Sequence, residues 1–322
     1  MRIDAIGGYF GLELPGASRE FHRGMLRFQS ARAAFLALLS TLRPSAVWMP
    51  WYVCNSVLEP LQMTRTPIRR YELDEHFRVA SVDLQPGEWL FYVDYFGLCE
   101  ENVHDVLTRF PREQVVIDRS QSFYASPPDC LATLYSPRKF FGVPDGGYLS
   151  TRCAVSEPID ADPQSIDRFA HLLKRADGHV ESGYADYVAA EDTLSMQEPK
   201  LMSALTQRLL ESIDYATIRE QRARNYVLLD EQLGTANGFR FRPASHAAPL
   251  CYPFLGAPAH LRNTLMAERI YTPAYWPEVA AMEAAPPFER NIANSALFLP
   301  CDQRLAPHQI ESISQRILHA LR

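Results

Sequence analysis

The chain has 322 residues, 38 of them acidic and 32 basic, for a formal charge of −6. That balance leaves no basic footprint for nucleic acid, and no apolar run approaches the roughly 20 residues of a membrane span. The N-terminus lacks the apolar core of a signal peptide. The six cysteines are scattered without a CxxC pair, and the nine histidines show no ligand spacing, so no metal site or disulfide framework is expected and a cytoplasmic location fits best.

In chain order, "ARAAFLALLSTL" (31–42) is rich in helix formers and follows a plausible N-cap, Ser30. Short β-rich runs come next, at 46–50, 67–73, 88–96, 114–118, 131–136 and 146–151, with helical segments near 54–63 and 101–110. Such alternation predicts an α/β fold with a mostly parallel central sheet covered by helices. After about residue 160 the texture turns helical, first at 165–176 and then as one long stretch over 199–233. Strands are expected at 239–244, 250–256 and 270–276, and a closing amphipathic helix at 306–322. The length suits a large domain to about residue 230 and a smaller α+β domain over 231–322.

Ligands in open α/β sheets gather at the carboxyl ends of the strands. Asp118 closes "QVVID", Ser136 and Lys139 follow "LATLYS", and Tyr52 follows "AVWMP". Lys139 sits in "YSPRKFFGVPDGGYL" beside Phe140 and Phe141. It either lays its stem on an apolar wall with its ammonium in water, or is held in a dry pocket as a nucleophilic amine. The start of the helix at Ser30 offers amides suited to a phosphate. An amine, a carboxylate, an aromatic plate and a phosphate cradle together meet the needs of pyridoxal 5′-phosphate. Taken singly, Asp118 is by default a turn or cap residue, Tyr52 a core or rim aromatic and Ser30 a plain N-cap.

These segments resemble a known family. "FQSARAAFLALL", "MPWYVC", "VVIDRSQSF", "YSPRKFFGVPDGGYL" and "FERNIANSALFLPCDQRLAPHQIESI" look like the motif series of fold-type-I pyridoxal-phosphate enzymes, specifically the DegT/StrS-type sugar aminotransferases. The resemblance runs over nearly the whole chain. It implies Lys139 as the Schiff-base lysine, Asp118 as partner of the pyridine nitrogen, Gln121 on the cofactor's 3′-hydroxyl and Tyr52 as the stacking ring. Ala31 and Arg32 stand at the Gly-Thr position whose amides bind phosphate. Ser136 resembles the phosphate serine of related aminotransferases, while the sugar family's own serine position is Leu134.

The chain also departs from the family pattern. Only twenty-one residues separate Asp118 from Lys139, and "PKLM" (199–202) stands where the family has Asn-Tyr-Arg-Met. The resemblance implies a homodimer and transfer of an amino group from an amino acid donor to a keto-sugar, nucleotide-linked in the usual case. Two alternatives stay open. One is a pyridoxal-phosphate enzyme for a small non-sugar substrate, with Arg138 binding an acidic group. The other is a non-catalytic homologue. Tyr9 and Phe10, in "GGYFGLEL" (7–14), are placed on the substrate side. Neither a G-x-S-x-G elbow, nor G-x-G-x-x-G, nor a P-loop motif is present.

Overall fold

The computed structural model describes residues 8–16, 19–241, 243–244 and 247–322. Gly7 of the N-terminal segment and Arg242 of the strand expected at 239–244 therefore lie outside the described residues.

A seven-stranded sheet forms the centre, in the order β1-β7-β6-β5-β4-β2-β3. Its strands are β1 (Leu26–Phe28), β2 (Ala46–Pro50), β3 (Ile68–Tyr71), β4 (Glu88–Val93), β5 (Val115–Asp118), β6 (Ala132–Tyr135) and β7 (Gly147–Thr151). The strands β3, β2, β4, β5 and β6 run parallel, while β7 is antiparallel to both of its neighbours. Every residue of β4 is buried, as a strand covered on both faces requires. Helices α1 (Ala31–Leu42), α2 (Asn55–Met63) and α3 (Glu100–Arg109) supply the crossovers. The strand and helix segments read from sequence up to residue 151 are thus present, each with its ends within three residues of those expected, while β1 was not among them.

The second half departs further from expectation. The segment 165–176 is helical only as a 3-10 turn followed by α4 (Ala170–Ala176), and α5 (Gly183–Asp192) comes next. The long stretch 199–233 breaks into α6 (Ala204–Glu211) and α7 (Tyr215–Leu233). Asp214 makes the break, its carboxylate accepting from the Thr217 amide at 3.1 Å as a new N-cap. Position 230 falls inside α7.

Of the three strands expected beyond it, only 250–256 contains one, β8 (Tyr252–Phe254), paired antiparallel with β9 (Leu297–Leu299). Neither 270–276 nor the described residues of 239–244 form strand. Proline at 273 and a left-handed Trp276 (φ 54°) break the extended run. Helices α8 (Leu261–Ala267), α9 (Pro287–Ser295) and α10 (Pro307–Ala320) complete the C-terminal part.

Most of the buried apolar side chains of the sheet and of the C-terminal region form one contiguous cluster. A second cluster, around Phe123, Tyr135, Phe140, Phe141 and Tyr148, lies beneath the turn that follows β6. Among the described residues no helix is long and apolar enough to cross a membrane.

Candidate active site

The register across β4, β5 and β6 places Val93, Asp118 and Leu134 side by side at the carboxyl edge of the sheet. Directly after β6, the 3-10 turn Pro137–Lys139 carries the lysine. Lys139 is near enough for its positive charge to favour the ionised form of Asp118. Burial dominates, however, and pushes the Asp118 carboxyl above its ordinary range, against the opposing hydrogen bonds of Ser120 and the charge of Lys139. One carboxylate oxygen, Oδ1, accepts from the Ser120 amide at 2.8 Å.

The two phenylalanines after the lysine do not support it. Phe140 and Phe141 are 3% and 6% exposed and pack with Phe123 in the second core, with the Arg222 guanidinium 4.6 Å from the Phe140 ring centre. They anchor the turn. Lys139 itself is exposed, its Nζ 5.8 Å from the centre of the Tyr275 ring. In the single chain the dry pocket imagined for it is absent; a cation over an aromatic face takes its place.

The Asp-Gly-Gly turn that follows has a steric purpose. Gly146 adopts φ +124°, a conformation disfavoured for other residues, and a Cβ there would sit 2.8 Å from Pro137. At Gly147 a Cβ would fall 2.2 Å from the Ser30 carbonyl carbon and 2.4 Å from the Ala31 nitrogen. The missing side chain lets the N-terminus of α1 lie directly against the start of β7, at the Asp-Gly-Gly turn. Asp145, fully buried, clamps the same turn from the other side by accepting from the Ser203 amide and hydroxyl, both at 3.2 Å. At the helix start Ser30 caps α1 by accepting from Ala33 at 3.1 Å. The amides of Ala31 and Arg32 are those that the helix leaves unengaged. Ser136, buried, stands at the start of the lysine turn.

Gln121 is 1% exposed; its Oε1 accepts from the Phe96 amide at 2.7 Å, and its Nε2 is buried with no partner. Gly97 is required beside it, since a Cβ there would lie 2.9 Å from the Gln121 carbonyl oxygen. Tyr52 is fully buried, its hydroxyl unpartnered, with Tyr95 stacked at 5.9 Å and Trp276 edge-on at 4.5 Å. Its ring has no open face.

Pyridoxal phosphate fits this arrangement in most respects. Lys139 offers the amine and Asp118 the carboxylate. Gln121 has an unsatisfied buried donor that a ligand oxygen would satisfy, and α1 presents amides at its N-terminus. At Tyr52 the fit requires Trp276 to withdraw from the ring.

Three further residues join the site. Tyr275 and Trp276 come from the run 270–276, and Glu191 stands in the last turn of α5, a helix that buries only Gly183 and Ala190 and so carries no periodic apolar stripe to read. Arg138 pairs with Glu191 rather than lying free for a substrate. Tyr9 and Phe10, at 99% and 95% exposure, line nothing within one chain.

No family model matches the chain, and no curated protein matches it in sequence. Solved structures do match in fold. A DegT DnrJ EryC1 StrS aminotransferase from Brucella abortus superposes with a TM-score of 0.65 at 16% identity, over 92% of this chain and 85% of its own. The putative sugar aminotransferase Spr1654 from Streptococcus pneumoniae, in its PLP-form, gives 0.63 at 14%, over 92% and 86%. DesI, solved in the presence of its TDP-sugar product, gives 0.63 at 16%, over 93% and 81%. The chain therefore has the fold-type-I aminotransferase architecture. Within that class its fold is the one shared by the DegT/StrS-type sugar aminotransferases.

Proposed function

We propose that the protein is a cytoplasmic pyridoxal-phosphate-dependent aminotransferase that moves an amino group from an amino acid to a nucleotide-linked keto-sugar. The observation that carries this reading is the convergence of Asp118, Lys139 and the α1 N-terminus at one sheet edge, with Gly147 permitting the contact. The fold shared with sugar aminotransferases supports it, and DesI's TDP-sugar product supports the nucleotide linkage.

When bound, the cofactor supplies an aldehyde that condenses with amines and a ring that accepts the electron pair released at the substrate carbon. Lys139 would hold it through its amine and, when free, would move the proton at the substrate carbon. Asp118 would keep a proton on the ring nitrogen by presenting its charge there. Gln121 would orient the ring through its free Nε2, Tyr52 would back its face, and Ser30, Ala31, Arg32 and Ser136 would hold the phosphate. The exposed arm side chains Tyr9, Phe10 and Leu12 support assembly as a homodimer, in which Tyr9 and Phe10 reach the substrate side of the neighbouring copy.

The test is the visible spectrum of purified protein with added pyridoxal phosphate, beside Lys139→Ala. A band that the variant lacks and borohydride abolishes supports the reading, and donor and keto-sugar screening follows. Absence of the band favours a second reading, a non-catalytic homologue, for which the closed face of Tyr52 is the specific observation.

A further inference from the structure

Arg32 and Arg138 come from distant parts of the chain, one from the first turn of α1 and one from the residue before Lys139. Both are largely buried, with side chains 15% and 13% exposed. They converge on one carboxylate. Glu191 is paired to Arg138 through Oε1 and approaches Arg32 Nη2 at 3.7 Å through Oε2. Arg32 also meets Glu59 Oε1 at 3.0 Å, while Glu59 Oε2 accepts from the Met196 amide at 2.8 Å. One donor is left over, the Nε of Arg138, buried without a partner.

Glu191 is poorly placed by its own helix. It stands in the last turn of α5, where the helix dipole disfavours an anion. That helix buries only Gly183 and Ala190 and leaves Tyr184, Tyr187 and Val188 exposed. Core burial therefore does little to hold α5, and the two guanidinium groups pin it. Two guanidinium groups with a spare donor match a phosphoryl group better than a single carboxylate, because phosphate brings more charge and three acceptor oxygens.

We propose that Arg32 and Arg138 form a phosphoryl-binding site whose resident occupant is Glu191, and that a phosphorylated ligand displaces Glu191 and with it α5. The site takes the phosphate of the cofactor or that of a phosphorylated substrate. It deepens the aminotransferase reading and rests on it for the identity of the ligand, but the anion site itself is tested without turnover.

Calorimetric titration of inorganic phosphate into the full chain measures the site directly. Glu191→Gln should bind phosphate about tenfold tighter than wild type, and Arg138→Gln about tenfold weaker, as expected for a charge-assisted hydrogen-bond pair gained or lost. On unaltered protein, saturating phosphate should speed hydrogen exchange of residues 183–192, which needs no variant to fold. Unchanged affinity in Glu191→Gln, or exchange over 183–192 that phosphate slows or leaves as it was, overturns the proposal.

Pyridoxal and pyridoxal phosphate then separate the sources. If Glu191→Gln strengthens the Lys139-dependent band for pyridoxal phosphate and not for pyridoxal, the site serves the cofactor. If it strengthens neither while phosphate still binds tighter, the site serves a substrate phosphoryl group. No band in any variant, with tighter phosphate binding retained, defeats the aminotransferase reading and leaves the anion site standing.

Discussion

Gly147 and Ser30 approach so closely that a Cβ on the glycine would sit 2.2 Å from the serine carbonyl carbon. The contact is backbone to backbone, so no side chain can rotate away to relieve it. Gly147→Ala must push α1 off the Asp-Gly-Gly turn at the start of β7, and overpacking at a buried site of this kind costs about 1–3 kcal/mol or more. The expected result is a lower melting temperature together with loss of pyridoxal-phosphate binding. A variant that melts as wild type does and binds cofactor normally would show that α1 need not touch the turn.

Asp118→Asn keeps the shape of the side chain and its Oδ1 acceptor for Ser120 but removes the charge proposed to face the ring nitrogen. Under the proposed mechanism the variant retains the cofactor band and loses most of the amino transfer, on the order of a hundredfold or more if the acid–base contribution is typical. Single-turnover measurement of the amino-donor half-reaction separates this from weakened binding. Unchanged turnover removes Asp118 from the chemistry.

Trp276 covers the ring of Tyr52 from a left-handed backbone conformation, φ 54° and ψ 53°, that a bulky side chain seldom adopts. If it must withdraw to admit the pyridine ring, Trp276→Leu should form the visible band at about tenfold lower pyridoxal-phosphate concentration, since the cost of displacement is gone. A spectrophotometric titration reads this. A requirement for more cofactor than wild type would instead make Trp276 part of the loaded site.

The parallel sheet was legible because its central strands are buried on both faces and read as apolar runs, "VVID" and "EWLFYV" among them, separated by helical segments. Asp118 and Lys139 were legible for a related reason: topology puts strand ends at one edge, so sequence position alone brings them together. Other features had no such signature. Glu191 reaches Arg32 across 159 residues from a helix with no amphipathic pattern. The break before α7 depended on one capping carboxylate, Asp214, inside a run of good helix formers. The run "IYTPAYW" has strand composition, yet a proline and the packing of Trp276 on Tyr52 make it a loop. Tertiary contact decided each of these cases, and local propensity was outweighed.

Glu289 ties α9 to the segment that follows β3 and makes stability depend on pH. Its side chain is fully buried, with Oε1 accepting from the Leu73 amide at 3.0 Å and Oε2 buried without a partner. Burial pushes its carboxyl from 4.5 up to about 8, against the opposing Leu73 hydrogen bond. The folded state therefore holds a proton that the unfolded chain releases near pH 4.5. The resulting stabilisation is complete below that pH and is lost as pH rises through about 8. Other buried groups titrate as well; burial lowers His22 to about 3, which favours the folded state at higher pH. The contribution of Glu289 is thus read as a difference. Glu289→Gln keeps an acceptor for Leu73 and cannot ionise, so its stability relative to wild type should grow steadily from about pH 5 to about pH 8, by up to a few kcal/mol. Denaturant unfolding of both proteins at matched pH measures it, and a difference that stays constant with pH would mean that Glu289 has the same affinity for its proton folded and unfolded.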